Sequence, residues 1–129
     1  MTFRIAALAT LGIALATGAA AAHHNMSAIF DFNDRVTMKG TLSKIDWRNP
    51  HIEFVVEARE GAQVVIWKIE GPAPSFFRTR DLGKADFEAA LGKTVTAEAS
   101  RARDGSRNGL LRIITLPSGK SISACPQNC

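Results

Sequence analysis

Two adjacent histidines, His23 and His24, directly follow a run of four alanines, and the chain of 129 residues contains one other histidine, His51. Imidazole is a common metal ligand because its neutral form is available at physiological pH. Nitrogen ligands of this kind suit late first-row divalent ions, with copper bound most tightly. The three histidines are therefore the main candidates for metal chemistry, and Met26 is a further soft ligand close to the pair.

The residues before the histidine pair have the order of a secretory signal peptide. Arg4 precedes an apolar stretch over residues 5–16, and small residues fill positions 17–22. Such a segment is removed on export, and its apolar part is shorter than the roughly 20 residues that a membrane span needs. We therefore predict a signal peptide over residues 1–22, a periplasmic or secreted mature protein, and no stable membrane span after cleavage. A retained membrane anchor is the alternative.

Cleavage would change the chemistry of the histidine pair. If it follows Ala22, His23 becomes the first residue, and its free amine and ring can chelate one copper ion together. If it follows Ala21, the mature chain begins Ala-His-His. A histidine in third position, with the amine and two backbone amides, is a square-planar ligand set for Cu(II) or Ni(II). The small-residue rule permits both cuts.

Each of these groups also has a simpler interpretation. The histidine pair is equally explained as a polar, exposed chain start. His51 follows the turn residues Asn49 and Pro50, where it either joins the pair as a third ligand or serves the turn. Met26 is equally an apolar contact in a loosely held arm. Asp31 and Asp34 are oxygen ligands or, as is common for aspartate, turn residues.

Cys125 and Cys129 are the two cysteines of the chain, in the terminal sequence CPQNC. In an oxidising compartment we predict a local disulfide between them, which adds little stability because its loop is short. A soft-metal pair and intermolecular pairing from a terminal tail are the alternatives.

The charge balance argues against nucleic acid as a partner. The formal net charge is +4, and removal of Arg4 lowers it from +4 to +3. Basic and acidic residues are interleaved, as on a solvated surface. The arginines around residues 101–112 fit a solvated rim better than an anion site. The sequence contains no recognisable nucleophile motif and no glycine-rich phosphate loop in a strand-loop-helix context, so an enzyme is not the favoured interpretation.

Alternating apolar residues predict five strands, at residues 36–47, 51–58, 64–70, 94–102 and 110–116. We predict a helical region over residues 75–92 with Ser75 as its N-cap. Gly83 divides it into two helical pieces, and Gly92 suits the C-terminal cap of the second piece. The first strand changes phase after Gly40, which predicts a bend or bulge. We predict an all-β fold with one short helical insertion, a small five-stranded OB-like Greek-key barrel. A β-sandwich competes, but it usually needs about seven strands.

We therefore predict four segments: a signal peptide at 1–22, an N-terminal arm at 23–35, the barrel at 36–123 and a cysteine-containing tail at 124–129. The barrel ends in a short extended piece at 120–123.

The chain also resembles a family of small exported bacterial proteins of unknown function. Members begin their mature chain with His-His-Ser, followed by a stretch ending in Phe-Asp, a Val-x-x-x-Gly strand and an Asn-Pro-His turn. The matching elements here are His23-His24, Phe30-Asp31, Val36 with Gly40, and Asn49-Pro50-His51. Asn25 stands where the family usually has serine, so no role of that serine carries over. The resemblance implies export and the barrel, and it implies no established activity.

These observations predict a small exported binding module that holds copper through His23 and His24, with His51 as a third ligand and Met26 as a further one. The alternative is a metal-free module that recognises a small ligand or an envelope protein through Trp47, Asn49, Pro50 and His51. A third class is an envelope structural protein that pairs through its cysteine tail.

Overall fold

The computed structural model describes residues 26–124 of the chain. The predicted signal peptide, the pair His23 and His24, and the tail cysteines Cys125 and Cys129 lie outside the described residues. None of the helices in residues 26–124 has the length and hydrophobicity of a transmembrane segment.

The described chain forms one sheet, with short helices between its third and fourth strands. Residues 26–29 are helical and lead into the first strand. The strands are β1 (Phe30–Asp46), β2 (Glu53–Glu60), β3 (Gln63–Glu70), β4 (Thr94–Ala102), β5 (Asn108–Thr115) and β6 (Ser121–Ser123), and the helices are α1 (Pro74–Arg78) and α2 (Lys84–Glu88).

The strand pairing closes into a ring. The order across the sheet is β3-β2-β1-β4-β5-β6, and β3 also pairs with β5. That last pairing is parallel and joins residues 68–70 to residues 108–110, whereas the others are antiparallel. The predicted small all-β fold with a five-stranded ring is therefore confirmed. The helical insertion consists of two short helices, and β6 adds a short strand beside β5.

β1 is long and bent because it pairs with both β2 and β4. Its register against β2 shifts between Leu42 and Lys44, which is the bulge that the phase change after Gly40 predicts. At Gly40 the strands are so close that a Cβ atom would overlap the carbonyl oxygen of Glu57 and lie 2.9 Å from the Cα of Ala58. Glycine is therefore required at the bend.

β1 begins at Phe30, earlier than the predicted Val36. Its pairing with β4 starts with Phe30 opposite Ala102 and shifts register between Asp31 and Arg35. The irregularity accommodates a polar stretch that alternation alone does not identify as strand.

The core fills the ring and continues under the two helices. The inner residues predicted for β2, β3 and β4 are all buried: Ile52, Phe54, Val56, Ala58, Val65, Trp67, Ile69, Val95, Ala97 and Ala99. Phe77 of α1 and Phe87 of α2 are fully buried, with ring centroids 5.0 Å apart. Trp47 packs on both rings, at 5.7 and 5.2 Å. The aromatic side chains therefore attach the helices to the ring.

The helix boundaries differ from the prediction at both caps. Ala73 is the N-cap of α1, with Pro74 inside the helix start, so the predicted N-cap Ser75 is wrong. Proline favours the first helical position because its fixed φ suits the helix and no N–H is needed there. α2 ends at Glu88, and Gly92 lies beyond it in a turn with φ +75°.

Candidate functional site

His51 forms a close pair with Glu70. The Nδ1 atom of His51 lies 2.5 Å from a carboxylate oxygen of Glu70, and the two side chains are 44% and 35% exposed. At this distance the imidazole is placed to donate an Nδ1 hydrogen to the carboxylate, and in that tautomer Nε2 is the nitrogen with a lone pair.

The strand register brings the two side chains together. β2 and β3 form a hairpin in which Glu60 faces Gln63 across a two-residue turn, and this register places Glu53 opposite Glu70. His51 precedes Glu53 by two positions, so its side chain leaves the same face of the sheet. Glu70 was not among the predicted site residues, although the register of the β2–β3 hairpin was a signal that could have found it.

His51 and Met26 line one small cavity of about 110 Å³. Its other walls come from the chain after β3, from β5 and from the end of the described chain: Gly71, Pro72, Leu110, Leu111 and Ala124. The volume is well below the roughly 300–1,000 Å³ of typical small-molecule pockets. The cavity therefore suits an ion or a few atoms better than an organic ligand.

Backbone hydrogen bonds fix the walls of this cavity. Gly71 donates its N–H to the carbonyl of Ile52 at 2.7 Å, and Ile52 donates its own N–H to Pro72 at 3.2 Å. Ala124 donates to the carbonyl of Arg112 at 2.7 Å. The start of β2, the end of β3 and the last described residue are thereby held in one place.

The structure thus joins two of the predicted ligands, His51 and Met26. His24 precedes Met26 by two residues and His23 by three. An extended chain covers at most about 3.6 Å per residue, so both histidines lie within roughly 11 Å of Met26 along the chain. The described residues contain no group of three or more His, Cys, Asp or Glu side chains placed to hold a metal ion. A complete site at the cavity therefore needs ligands from outside residues 26–124.

The predicted ligand or partner face divides into two parts. Asn49, Pro50 and His51 are exposed at the end of the sheet where β2 begins. Trp47 is half-buried and contacts the rings of Phe77 and Phe87, so it belongs to the core cluster as much as to the exposed turn.

A second depression borders the same glutamate. It has a volume of about 360 Å³, and Ile29, Phe30 and Ala102 supply apolar surface. Its polar side chains are Glu53, Lys68, Glu70, Asp104 and Asn108. Its size lies within the range of small-molecule pockets.

The arginines of the region around the β4–β5 loop are all paired with acids. The pairs are Arg101 with Asp34 at 3.5 Å, Arg103 with Asp31 at 3.2 Å, Arg107 with Glu60 at 2.9 Å and Arg112 with Glu98 at 3.5 Å. The hydrogen bond from Arg107 holds the pKa of the Glu60 carboxyl below its ordinary value. Asp31 also accepts a hydrogen bond from the backbone of Asn33 at 3.0 Å, as turn aspartates do. This region is a neutralised, ion-paired rim.

Fold and site together define a class of protein: a small all-β domain whose five-stranded ring carries a histidine–carboxylate pair beside a small cavity. The chain belongs to a family of unknown function, DUF6152, whose model matches residues 11–112. This match agrees with the resemblance to a family of unknown function. Export, the His-His-Ser start and the Asn-Pro-His turn of that family stay predictions. No curated protein and no solved structure matches the chain.

Proposed function

We propose that this protein is an exported, periplasmic binding module that holds one copper ion at the cavity beside His51. In this proposal His23 and His24, at the start of the mature chain, supply the free amine and imidazole nitrogens. His51 supplies Nε2 as a further ligand, and Met26, which lines the same cavity, supplies a thioether.

The orientation of His51 is the observation that carries the proposal. Histidines that bind metals almost always donate their other ring N–H to a carboxylate, a carbonyl or water, which fixes the tautomer and raises ligand basicity. The Nδ1 atom of His51 lies 2.5 Å from the Glu70 carboxylate, which is the placement that such a histidine–carboxylate pair requires. The ring is half-exposed rather than in the core, and it borders the cavity that contains Met26.

The chemistry of the ligands favours copper. Imidazole and amine nitrogens bind Cu(II) more tightly than the other divalent first-row ions, and a thioether adds affinity for Cu(I). Because each nitrogen ligand must be deprotonated, binding weakens as the pH falls.

Copper titration of the mature protein tests the proposal. The protein is expressed with its own leader, its first residue is established by mass spectrometry, and affinity is measured by competition with a chelator. We expect His23→Ala combined with His24→Ala to abolish tight binding, and His51→Ala to weaken it. Equal affinity in the wild type and the His23/His24 variant refutes the copper site. Loss in that variant with no effect of His51→Ala limits the site to the chain start.

A matched pair of glutamate substitutions isolates the role of Glu70. We expect Glu70→Gln to weaken copper binding by about 10–100-fold, the usual cost of losing a partner that orients a ligand. Glu88→Gln is the control, because Glu88 is a similarly exposed glutamate in an ion pair with Lys84. Equal affinities for the two variants would contradict the proposed role.

The second candidate is a metal-free module that binds a small ligand or an envelope protein. The depression of about 360 Å³ beside Glu70 and the exposed turn at Asn49 and Pro50 favour this candidate. NMR distinguishes the two candidates. If the metal-free module is correct, bound fragments change the signals of Lys68 and Asn108. If the copper site is correct, addition of copper changes the signals of His51 and Met26.

A further inference from the structure

Within residues 26–124, one edge of β3 has no partner strand along part of its length. Lys68 donates its N–H to the carbonyl of Arg107 at 3.0 Å, and pairing with β5 begins at this residue. Backbone groups alternate in direction along a strand, so those of Ile66 and Val64 also point away from β2. Among the described strands only β2 pairs with residues 63–67. The N–H and C=O groups of Val64 and Ile66 therefore face an open edge.

The side chains at this edge are apolar. Val64 is 56% and Ile66 is 47% exposed, the highest values among the large hydrophobic residues of the described chain. Natural edge strands are usually protected by charges, proline or bulges. β3 has no proline, and its register against β2 shows no irregularity. Apart from the Arg107–Glu60 ion pair, this edge therefore has the features of a strand that pairs with another strand.

We propose that a second copy of the chain pairs with this edge, β3 antiparallel to β3, about a two-fold axis at Val65. Val64 then lies opposite Ile66 of the second copy, and Ile66 opposite the second copy's Val64. Both are backbone-paired positions, so the contact contains about four hydrogen bonds. It places the two most exposed apolar side chains of each copy side by side across the joined strands.

The neighbouring charges suit this pairing. On the same face β2 places Glu57 beside Ile66 and Arg59 beside Val64. Across the joined sheets, Glu57 and Ile66 of one copy are thus followed by Val64 and Arg59 of the second copy. The glutamate and the arginine lie at opposite ends of this line of side chains. No like charges face each other across an isologous contact of this register.

A surface ion pair competes with the second copy. The backbone carbonyl of Arg107 accepts the hydrogen bond from the Lys68 N–H. The guanidinium of Arg107 donates to the carboxylate of Glu60, the last residue of β2 before the hairpin turn, at 2.9 Å. Arg107 therefore links the two ends of the unpaired part of β3, since its backbone lies beside Lys68 and its side chain reaches Glu60 at the hairpin turn. Both partners are about half exposed, at 49% and 47%, and exposed pairs of this kind are weak. Screening by salt favours release of Arg107 and so favours the dimer.

The contact is small. Two strands of about five residues bury less than the roughly 1,600 Å² of a standard interface, which corresponds to a weak dimer with a Kd in the micromolar range or above.

Sedimentation equilibrium in reducing buffer, from about 10 µM to about 1 mM, tests the proposal, with the reductant excluding dimers linked through cysteines. We expect Val64→Lys combined with Ile66→Lys to raise the dimer Kd at least tenfold, and Arg107→Ala to lower it about threefold or more. Ile113→Lys is the matched control, because Ile113 is an exposed isoleucine on β5. Thermal melts confirm that each variant is folded.

Three results would overturn the inference: a monomer at every concentration in both the wild type and Arg107→Ala, a dimer that the double lysine variant leaves unchanged, or equal weakening by Ile113→Lys. Each is distinct from the result of the copper titration.

Discussion

Replacing Gly40 by alanine should destabilise the domain far more than the addition of one methyl group usually does. Gly40 is paired on both sides, with Ala58 of β2 and Val95 of β4. A Cβ atom there would overlap the carbonyl oxygen of Glu57 and lie 2.7 Å from its carbonyl carbon. These are backbone atoms, so they cannot turn aside as a flexible side chain would.

The size of the effect follows from that geometry. Overpacking a well-packed site costs about 1–3 kcal/mol, and here relief requires β1 and β2 to separate at the bend. We therefore expect a loss of about 3 kcal/mol in the free energy of unfolding, out of roughly 5–15 kcal/mol for a domain of this size. At about 4–8 °C per kcal/mol, the melting temperature should fall by roughly 12–24 °C.

Urea denaturation followed by circular dichroism measures this loss. Gly83→Ala is the control, because Gly83 has an extended φ of −114° and the nearest atom to an added Cβ, an Asp86 oxygen, is 3.9 Å away. Its cost should stay within about 1 kcal/mol, the usual effect of alanine at a helix N-cap. Equal losses for the two variants would show that β1 and β2 do not approach as closely as described.

Three other changes test the core and the rim. Phe87→Ala should lower the free energy of unfolding by about 3–5 kcal/mol in urea denaturation, because it empties a fully buried site beneath α2. Arg112→Met should cost about 1–3 kcal/mol, because buried Ser100 loses the 3.1 Å hydrogen bond from Arg112. In a double-mutant cycle, adding Ser100→Ala to Arg112→Met should cost less than Ser100→Ala alone. Glu60→Gln should lower the melting temperature slightly at neutral pH and not in acid. The pKa of Glu60 is lowered in the folded state by Arg107, so its stabilising effect is complete above the ordinary glutamate pKa and is lost as the pH falls through the folded value. A pH series of melts checks the sign.

Local alternation was enough to predict most of the ring. Val65, Trp67 and Ile69 repeat every second residue, and each is buried as expected. β4 has the predicted bounds, Thr94–Ala102, because Val95, Ala97 and Ala99 alternate with polar residues over most of its length. The start of β1 was missed because Asn33 and Asp34 are poor strand formers, and only pairing with β4 across an irregular register holds them in a strand.

Contacts between distant segments could not be predicted in the same way. The parallel pairing of β3 with β5 joins residues far apart in sequence, and no local pattern specifies it. The approach of Met26 to His51 is of the same kind, so the sequence left it open. The pairing of His51 with Glu70 is different, because the short hairpin turn fixes the β2–β3 register and with it this contact.

The cavity beside His51 also brings together the two ends of the described chain, since Met26 and Ala124 both border it. A ligand that bound residues at both ends would cross-link them and so close a loop that contains almost the whole domain. Closing so long a loop restricts the unfolded chain, as a disulfide between distant residues does. Binding of such a ligand would therefore raise the free energy of unfolding of the whole domain, in addition to any local change at the cavity.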